Sequence, residues 1–310
     1  MNPQEQVGRV LVGKYEVVSV LGVGGMGVVL RARHVALGEE VAVKLLSREL
    51  VGREEYVSRF YREARAAARI KSEHVARVID VGSTEEGVPF LVMELLEGED
   101  LEVYLTKRGG ALAPGEAARL VLEACDAIAE AHELGIVHRD IKPANLFLAR
   151  RGRGPAKVKV LDFGISKMAG DAGSATKTSA IMGSPAYMSP EQLRSTRDVD
   201  GRTDVWSLGA VLFELCAGRI PFEGESVADI TAGILRGERP RLAQHLPDAP
   251  PGFADLVDAC LERQLELRVP SVAELARRLE PYAATEPSAP RSVVQSATPS
   301  LRTDDERITS

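Results

Sequence analysis

The residues His138-Arg139-Asp140-Ile141-Lys142-Pro143-Ala144-Asn145 bring a carboxylate, two side-chain cations and a carboxamide together within one short segment. Pro143 and the close spacing make that segment a loop, where side chains can converge on one point. In it Asp140 is a potential base, Lys142 a cation and Asn145 a carboxamide metal ligand. A charged surface turn uses the same residue types, but a chance match at every one of these positions is remote. Further along, Asp162-Phe163-Gly164 follows the apolar, strand-like Val158-Lys159-Val160-Leu161. Its carboxylate supplies a second hard oxygen ligand, suited to a magnesium–nucleotide complex.

Two upstream motifs complete the phosphate chemistry. Gly22-Val23-Gly24-Gly25-Met26-Gly27-Val28-Val29 spaces glycines so that backbone N–H groups can approach phosphate oxygens with no Cβ in the way. The same spacing opens dinucleotide-binding folds, but there it leads into a helix. Here Val28-Val29-Leu30-Arg31-Ala32 has strand character, which predicts a glycine hairpin lying over phosphates. Lys44 ends Val41-Ala42-Val43-Lys44 on the strand after that hairpin. A solitary lysine on a strand is usually a surface residue; at this place it can neutralise phosphate charge if an acidic side chain holds it. Glu63 is the best candidate partner, with Glu54, Glu55 and Glu73 nearer the ends of the helical stretch.

The elements that must position these groups are legible in outline. Residues 15–20, 28–32, 40–45, 75–81 and 89–94 have β-branched or alternating character and predict strands. Residues 53–70 carry Ala, Arg and Glu without Gly or Pro and predict one helix among them. Glu97-Gly98-Glu99-Asp100 is a polar break. Beyond it, Ala113-Pro114-Gly115-Glu116 starts a helix that continues to residue 133, and residues 205–217 and 272–279 predict more helices. The expected architecture is α+β and bilobal, with a small antiparallel-sheet lobe followed by a larger, mostly helical one. Ser, Thr and Pro accumulate from about residue 285, where the apolar pattern fades, so a disordered tail is expected.

Composition narrows the partners. Apolar residues make up 45% and charged residues 27% of the 310, with net charge -6. A nucleic-acid or membrane-surface binder would usually be basic, so no nucleic-acid partner is expected. Cys125, Cys216 and Cys260 are sparse and odd in number, which reads as buried thiols in a reducing compartment. Residues 1–6 have no basic and apolar pattern of a signal peptide, and no apolar run reaches membrane-spanning length, so cytoplasmic location and no membrane segment are the expectation.

Taken in order, these motifs resemble the eukaryotic-like protein kinases, and bacterial serine/threonine kinases in particular. Ser189-Pro190-Glu191 stands where that family has A-P-E, Asp204-Val205-Trp206-Ser207-Leu208-Gly209 resembles its D-x-W-S-x-G helix start, and Arg268 its late arginine that pairs with Glu191. The resemblance implies a kinase domain over residues 9–281, divided at 95/96, and a tail over 282–310. It implies ATP and Mg²⁺ (Mn²⁺ as an alternative), with Asp140 and Lys142 catalytic and Asn145 and Asp162 holding the metal. The glycine hairpin residues Leu21, Gly22, Val23, Gly24, Gly25, Met26, Gly27, Val28 and Val29 would cover the nucleotide. Lys44, held by Glu63, would contact its phosphates. Leu21, Val29 and Ala42 would lie above the adenine and Phe147 below. Met93 is the implied gatekeeper, Glu94 and Leu96 offer backbone hinge contacts, and Asp100 reaches the ribose or a basic substrate residue. Serine and threonine hydroxyls of proteins are the implied acceptors, because Lys142 follows Asp140 by two residues. Arg139 implies regulation by phosphorylation between Asp162 and Glu191, where Ser174, Thr176, Thr178, Ser179 and Ser184 lie and Thr176 and Thr178 are favoured. A transient homodimer would serve autophosphorylation. A nucleotide-binding scaffold, a small-molecule phosphotransferase and an oxidoreductase are the competing classes. Retention of every catalytic residue and the long segment before Glu191 disfavour them.

Overall fold

The computed structural model describes residues 3–150, 152, 154–163, 185–194 and 199–283. In chain order come β1 (Val10–Leu11), β2 (Tyr15–Gly24), β3 (Gly27–His34), β4 (Glu40–Leu46), α1 (Arg48–Val51), α2 (Glu54–Ala67), β5 (Val78–Ser83) and β6 (Pro89–Glu94). They are followed by β7 (Gly98–Asp100), α3 (Leu101–Lys107), α4 (Pro114–Glu133), β8 (Leu146–Ala149) and β9 (Lys157–Val160). The remaining helices are α5 (Pro190–Arg194), α6 (Arg202–Ala217), α7 (Val227–Arg236), α8 (Phe253–Cys260) and α9 (Val272–Ala283). The architecture is α+β and bilobal, as the sequence leads one to expect.

The first lobe is an antiparallel sheet in the order β1-β2-β3-β4-β6-β5. Period-two alternation fixes which face is core. Val28, Leu30 and Ala32 on β3, Val41, Val43 and Leu45 on β4, and Phe90 and Val92 on β6 form one buried cluster. α2 begins with Glu54 and Glu55, whose charge suits the positive end of the helix.

The second lobe packs around α6, which is buried on nearly every side, as expected of a helix that is apolar all round. It ends at Gly218 in the left-handed region, where a Cβ would lie 2.5 Å from the Gly110 carbonyl oxygen, so only glycine fits. A capping box between Ser226 and Asp229 starts α7. A small sheet, β7-β8-β9, lies on this lobe, with Leu146, Leu148, Val158 and Val160 in its core.

Two features depart from expectation. The polar break at residues 97–100 contains strand β7, paired with β8. Gly98 makes that pairing feasible, since a Cβ there would sit 2.1 Å from the Leu148 carbonyl oxygen. Tyr282 and Ala283, placed in the tail by sequence, complete α9, where the Tyr282 hydroxyl donates to the Pro251 carbonyl at 3.1 Å and its ring meets Phe253 edge-on. Residues 284–310 lie outside the described residues.

Candidate active site

The alternation that buries one face of each sheet leaves the other face for the cleft. On the first sheet the residues out of phase with the core are Val29, Ala42, Lys44 and Met93, and Ala42 lies directly opposite Met93. On the small sheet they are Phe147 and Lys159, which face each other across the β8–β9 pair. Gly24 pairs with Gly27 across the turn Gly25-Met26, giving a glycine hairpin that leads directly into strand β3. Gly27 is required there: a Cβ would fall 1.9 Å from the Leu45 carbonyl oxygen. Gly22, Val23, Gly24 and Gly25 are exposed at the hairpin, with Leu21 beside them, while Met26 is half-buried and Val28 turns into the core.

The loop carrying Asp140 is held from beneath. Asp204, fully buried at the start of α6, accepts the backbone N–H groups of His138 and Arg139 at 2.8 Å each. Arg139 has φ +65°, strained for a residue with a side chain, and Gln192 secures its carbonyl at 2.8 Å. His138 reaches the Leu161 carbonyl through Nε2 at 3.0 Å and lies against Phe163, which ties this loop to the end of β9. Asn145 donates from Nδ2 to the Asp140 backbone oxygen at 2.7 Å and to its carboxylate at 3.1 Å. Lys142 Nζ is 3.4 Å from the same carboxylate. Asp140, Lys142 and Asn145 therefore converge. The carboxamide nitrogen of Asn145 is committed to Asp140, which leaves its oxygen as the end able to meet a cation.

Lys44 Nζ donates to Asp162 Oδ1 at 2.5 Å. Burial alone would push the Lys44 ammonium down, but the carboxylate of Asp162, followed by those of Glu63 and Asp140, outweighs it and holds the ammonium above the ordinary lysine value. For Asp162 burial acts upward; Lys44 first, then His138 and Lys142, hold its carboxyl below the usual range. Asp162 also has φ +47°. The ion-pair partner of Lys44 is thus Asp162, delivered by the turn that ends β9, and Glu63 acts on Lys44 as a second, longer-range charge. This corrects the expected Lys44–Glu63 pair.

Among the described residues no group of three or more His, Cys, Asp or Glu side chains could hold a metal alone. Asp162 and Asn145 fit a cation that takes most of its oxygens from phosphates and water, which is the habit of Mg²⁺. Glu94 and Leu96 lie at and just beyond the end of β6, and Asp100 caps α3 through the Val103 N–H at 2.9 Å. Glu191 and Arg268 form the expected ion pair, bidentate at 2.6 and 3.0 Å. Gly164, Ser174, Thr176, Thr178, Ser179 and Ser184 lie outside the described residues.

Sequence reasoning missed the supporting roles of Asp204, Gln192 and Lys159. For Lys159 a signal existed: a lysine between two core valines must project to the opposite face.

Comparison with known proteins agrees with this geometry. The Protein kinase domain family matches residues 15–278. The chain belongs to the protein kinase family. Serine/threonine-protein kinase pkn3 of Myxococcus xanthus is 39% identical over 248 residues, 79% of this chain and 45% of that protein. Serine/threonine-protein kinase PrkC of Bacillus subtilis is 37% identical over 251 residues, 81% of this chain and 38% of that protein. This kinase-family chain thus spans less than half the length of these curated relatives. The crystal structure of the Mycobacterium tuberculosis PknI kinase domain is similar with a TM-score of 0.69 and 28% identity, covering 89% of this chain and 98% of that one. No helix among the described residues is long and apolar enough to cross a membrane.

Proposed function

We propose that the chain is a serine/threonine protein kinase that transfers the γ-phosphoryl group of Mg-ATP to Ser and Thr hydroxyls of proteins. The observation that carries this reading is the convergence of Asp140, Lys142 and Asn145 in one loop, next to the Lys44–Asp162 pair, between the free faces of the two sheets. Phosphoryl transfer needs positioning and charge neutralisation more than covalent chemistry, and these residues offer both. Leu21, Val29 and Ala42 cover the adenine from above and Phe147 from below. Met93 sets the depth of the pocket, and the backbone of Glu94 and Leu96 reads the adenine edge. Asp100 reaches the ribose or a basic residue of the substrate. The glycine hairpin, Leu21 through Val29, closes over the phosphates, and Lys44 binds them with Glu63 supporting its charge. Asp162 and Asn145 hold Mg²⁺, which, when bound, neutralises phosphate charge. Asp140 orients the acceptor hydroxyl and takes its proton, while Lys142 stabilises charge on the transferred group. On this reading the kinase domain starts near residue 9 and runs to the end of α9 at Ala283.

We extend the reading to regulation. Arg139 Nη1 is buried with no hydrogen-bond partner among the described residues. A buried guanidinium in that condition suits a phosphate introduced on the segment after Asp162, at Thr176 or Thr178, by a second copy in a transient dimer.

The test is label transfer from radiolabelled Mg-ATP to the chain itself and to a generic protein substrate, with Lys44→Ala and Asp140→Asn beside the wild type. Asp140→Asn should slow transfer at least about 100-fold, the usual worth of a positioned base. Mapped sites should be phosphoserine and phosphothreonine, Thr176 or Thr178 among them. Tight ATP binding without any transfer points to a scaffold, and phosphotyrosine alone overturns the acceptor class.

A further inference from the structure

Lys159 is a charged side chain on a strand whose neighbours Val158 and Val160 are fully buried, and the phosphate chemistry above leaves it unused. Its ammonium donates to Glu94 Oε1 at 2.7 Å and to the Val75 carbonyl at 3.2 Å. The same Glu94 oxygen accepts the Arg77 N–H at 2.8 Å, and the Glu94 N–H returns a bond to the Arg77 carbonyl at 3.0 Å. Both charged side chains are largely covered, 17% and 26% exposed. Lys159 is therefore fixed by two oxygens, and the carboxylate it meets is fixed by a backbone donor.

The position of this pair gives it a role. Glu94 ends β6, at the hinge whose backbone reads the adenine edge. Lys159 lies on β9, which runs directly into Asp162, the metal ligand. The loop between α2 and β5 already belongs to the second lobe. Glu130 accepts the N–H groups of Lys71 and Ser72 at 2.7 Å each, and the Val160 N–H donates to the His74 carbonyl at 2.7 Å. Lys159 joins the hinge to that anchored assembly.

We propose that Lys159 and Glu94 are positioning residues whose ion pair sets the distance between the adenine end and the metal end of the nucleotide site. The proposal rests on the nucleotide-binding reading above. A ligand that spans both ends needs them at a fixed separation; one that touches only the hinge does not. The pair therefore acts on Mg-ADP and Mg-ATP and leaves adenosine almost unaffected.

Isothermal titration calorimetry on the full chain separates the possibilities, using adenosine, and ADP with Mg²⁺, against wild type, Lys159→Met, Lys159→Arg and Glu94→Gln. With a coupling of ordinary size, Lys159→Met binds Mg-ADP about tenfold more weakly and adenosine within about twofold of wild type. Lys159→Arg recovers most of the Mg-ADP affinity, and Glu94→Gln, which breaks the pair from the other side, weakens Mg-ADP binding by a similar factor, which keeps the test valid if Lys159→Met fails to fold. Unchanged Mg-ADP binding in folded Lys159→Met overturns the proposal, as does an equal loss for both ligands. A wild-type chain that binds neither ligand removes the nucleotide reading itself, and the proposal with it.

Discussion

The Glu191–Arg268 pair gives the sharpest test of how the second lobe is held together. The Arg268 side chain is fully buried, and Glu191 is 14% exposed. Besides its bidentate contact, Arg268 donates to the carbonyls of Glu262 and Arg202 at 2.8 and 2.9 Å and lies 5.1 Å from the Trp206 ring centroid. Glu191→Gln removes the carboxylate and strands a guanidinium where water cannot reach it. Breaking a buried pair from one side costs about 3–5 kcal/mol. The two carbonyls and the indole face still solvate the cation, which puts the loss near the lower end. At roughly 2–4 °C per kcal/mol for a chain of this size, the melting temperature should fall by about 6–12 °C. Urea unfolding of Glu191→Leu, Arg268→Met and the double variant measures the coupling directly. The double variant removes both charges but orphans the two carbonyls, so it should be less destabilised than the sum of the singles by at least about 2 kcal/mol. Additive effects within about 0.5 kcal/mol would show that the pair is structurally idle and refute the argument.

Three further outcomes follow from particular contacts. Val12, at φ +44° beside Gly13 in the β1–β2 turn, is a β-branched residue in a region that disfavours it; Val12→Asn should stabilise by about 1 kcal/mol, read as a higher urea midpoint at unchanged slope. Glu130→Ala leaves the N–H groups of Lys71 and Ser72 without their acceptor and should cost about 2 kcal/mol, with faster hydrogen exchange at both amides. Burial, then the charge of Glu102, raise the Glu214 carboxyl above its ordinary value despite the Tyr187 hydroxyl bond at 2.6 Å. A folded pKa above the unfolded one means that this group's stabilising contribution is complete below the unfolded pKa and is lost as pH rises through the folded one. Glu214→Gln should therefore raise the melting temperature at pH 7 and lose that advantage below the unfolded glutamate pKa of about 4.5; an equal gain at both pH values contradicts the assignment.

Much of the site was legible because phosphoryl chemistry uses residue types that are rare together. The run from His138 to Asn145 admits few other readings, and the strand after the glycine hairpin ruled out a dinucleotide fold. The partner of Lys44 was not legible. Glu63 and Asp162 both lie far from it along the chain, and choosing between them needs the turn at the end of β9. Strand β7 was hidden for a related reason. Its residues are polar because it is an edge strand, and Gly98, which reads as a breaker, is what lets the backbones approach. Short helices α7 and α8 also escaped notice: each carries too few turns for a period to stand out.

Among the described residues, three non-glycine residues have positive φ: Val12, Arg139 and Asp162. Their surroundings differ in a way that separates incidental strain from functional strain. Arg139 is over-determined: Asp204 takes its N–H, Gln192 takes its carbonyl, and the preceding N–H also goes to Asp204. Asp162 is similarly pinned, since the Leu161 N–H donates to the Asn145 carbonyl at 2.9 Å, His138 takes the Leu161 carbonyl, and Lys44 holds the carboxylate. Around Val12, among the described residues, the turn is closed by one bond, from the Lys14 N–H to the Leu11 carbonyl at 2.9 Å, and the side chain packs against the first-lobe core. Unfavourable conformations persist where several bonds enforce them, and here both enforced ones flank Asp140. The fully buried Asp204 links these facts, because one carboxylate anchors the strained loop to the most buried helix of the lobe. The geometry around Asp140 is thereby set by the core of the second lobe and not by the loop's own preferences.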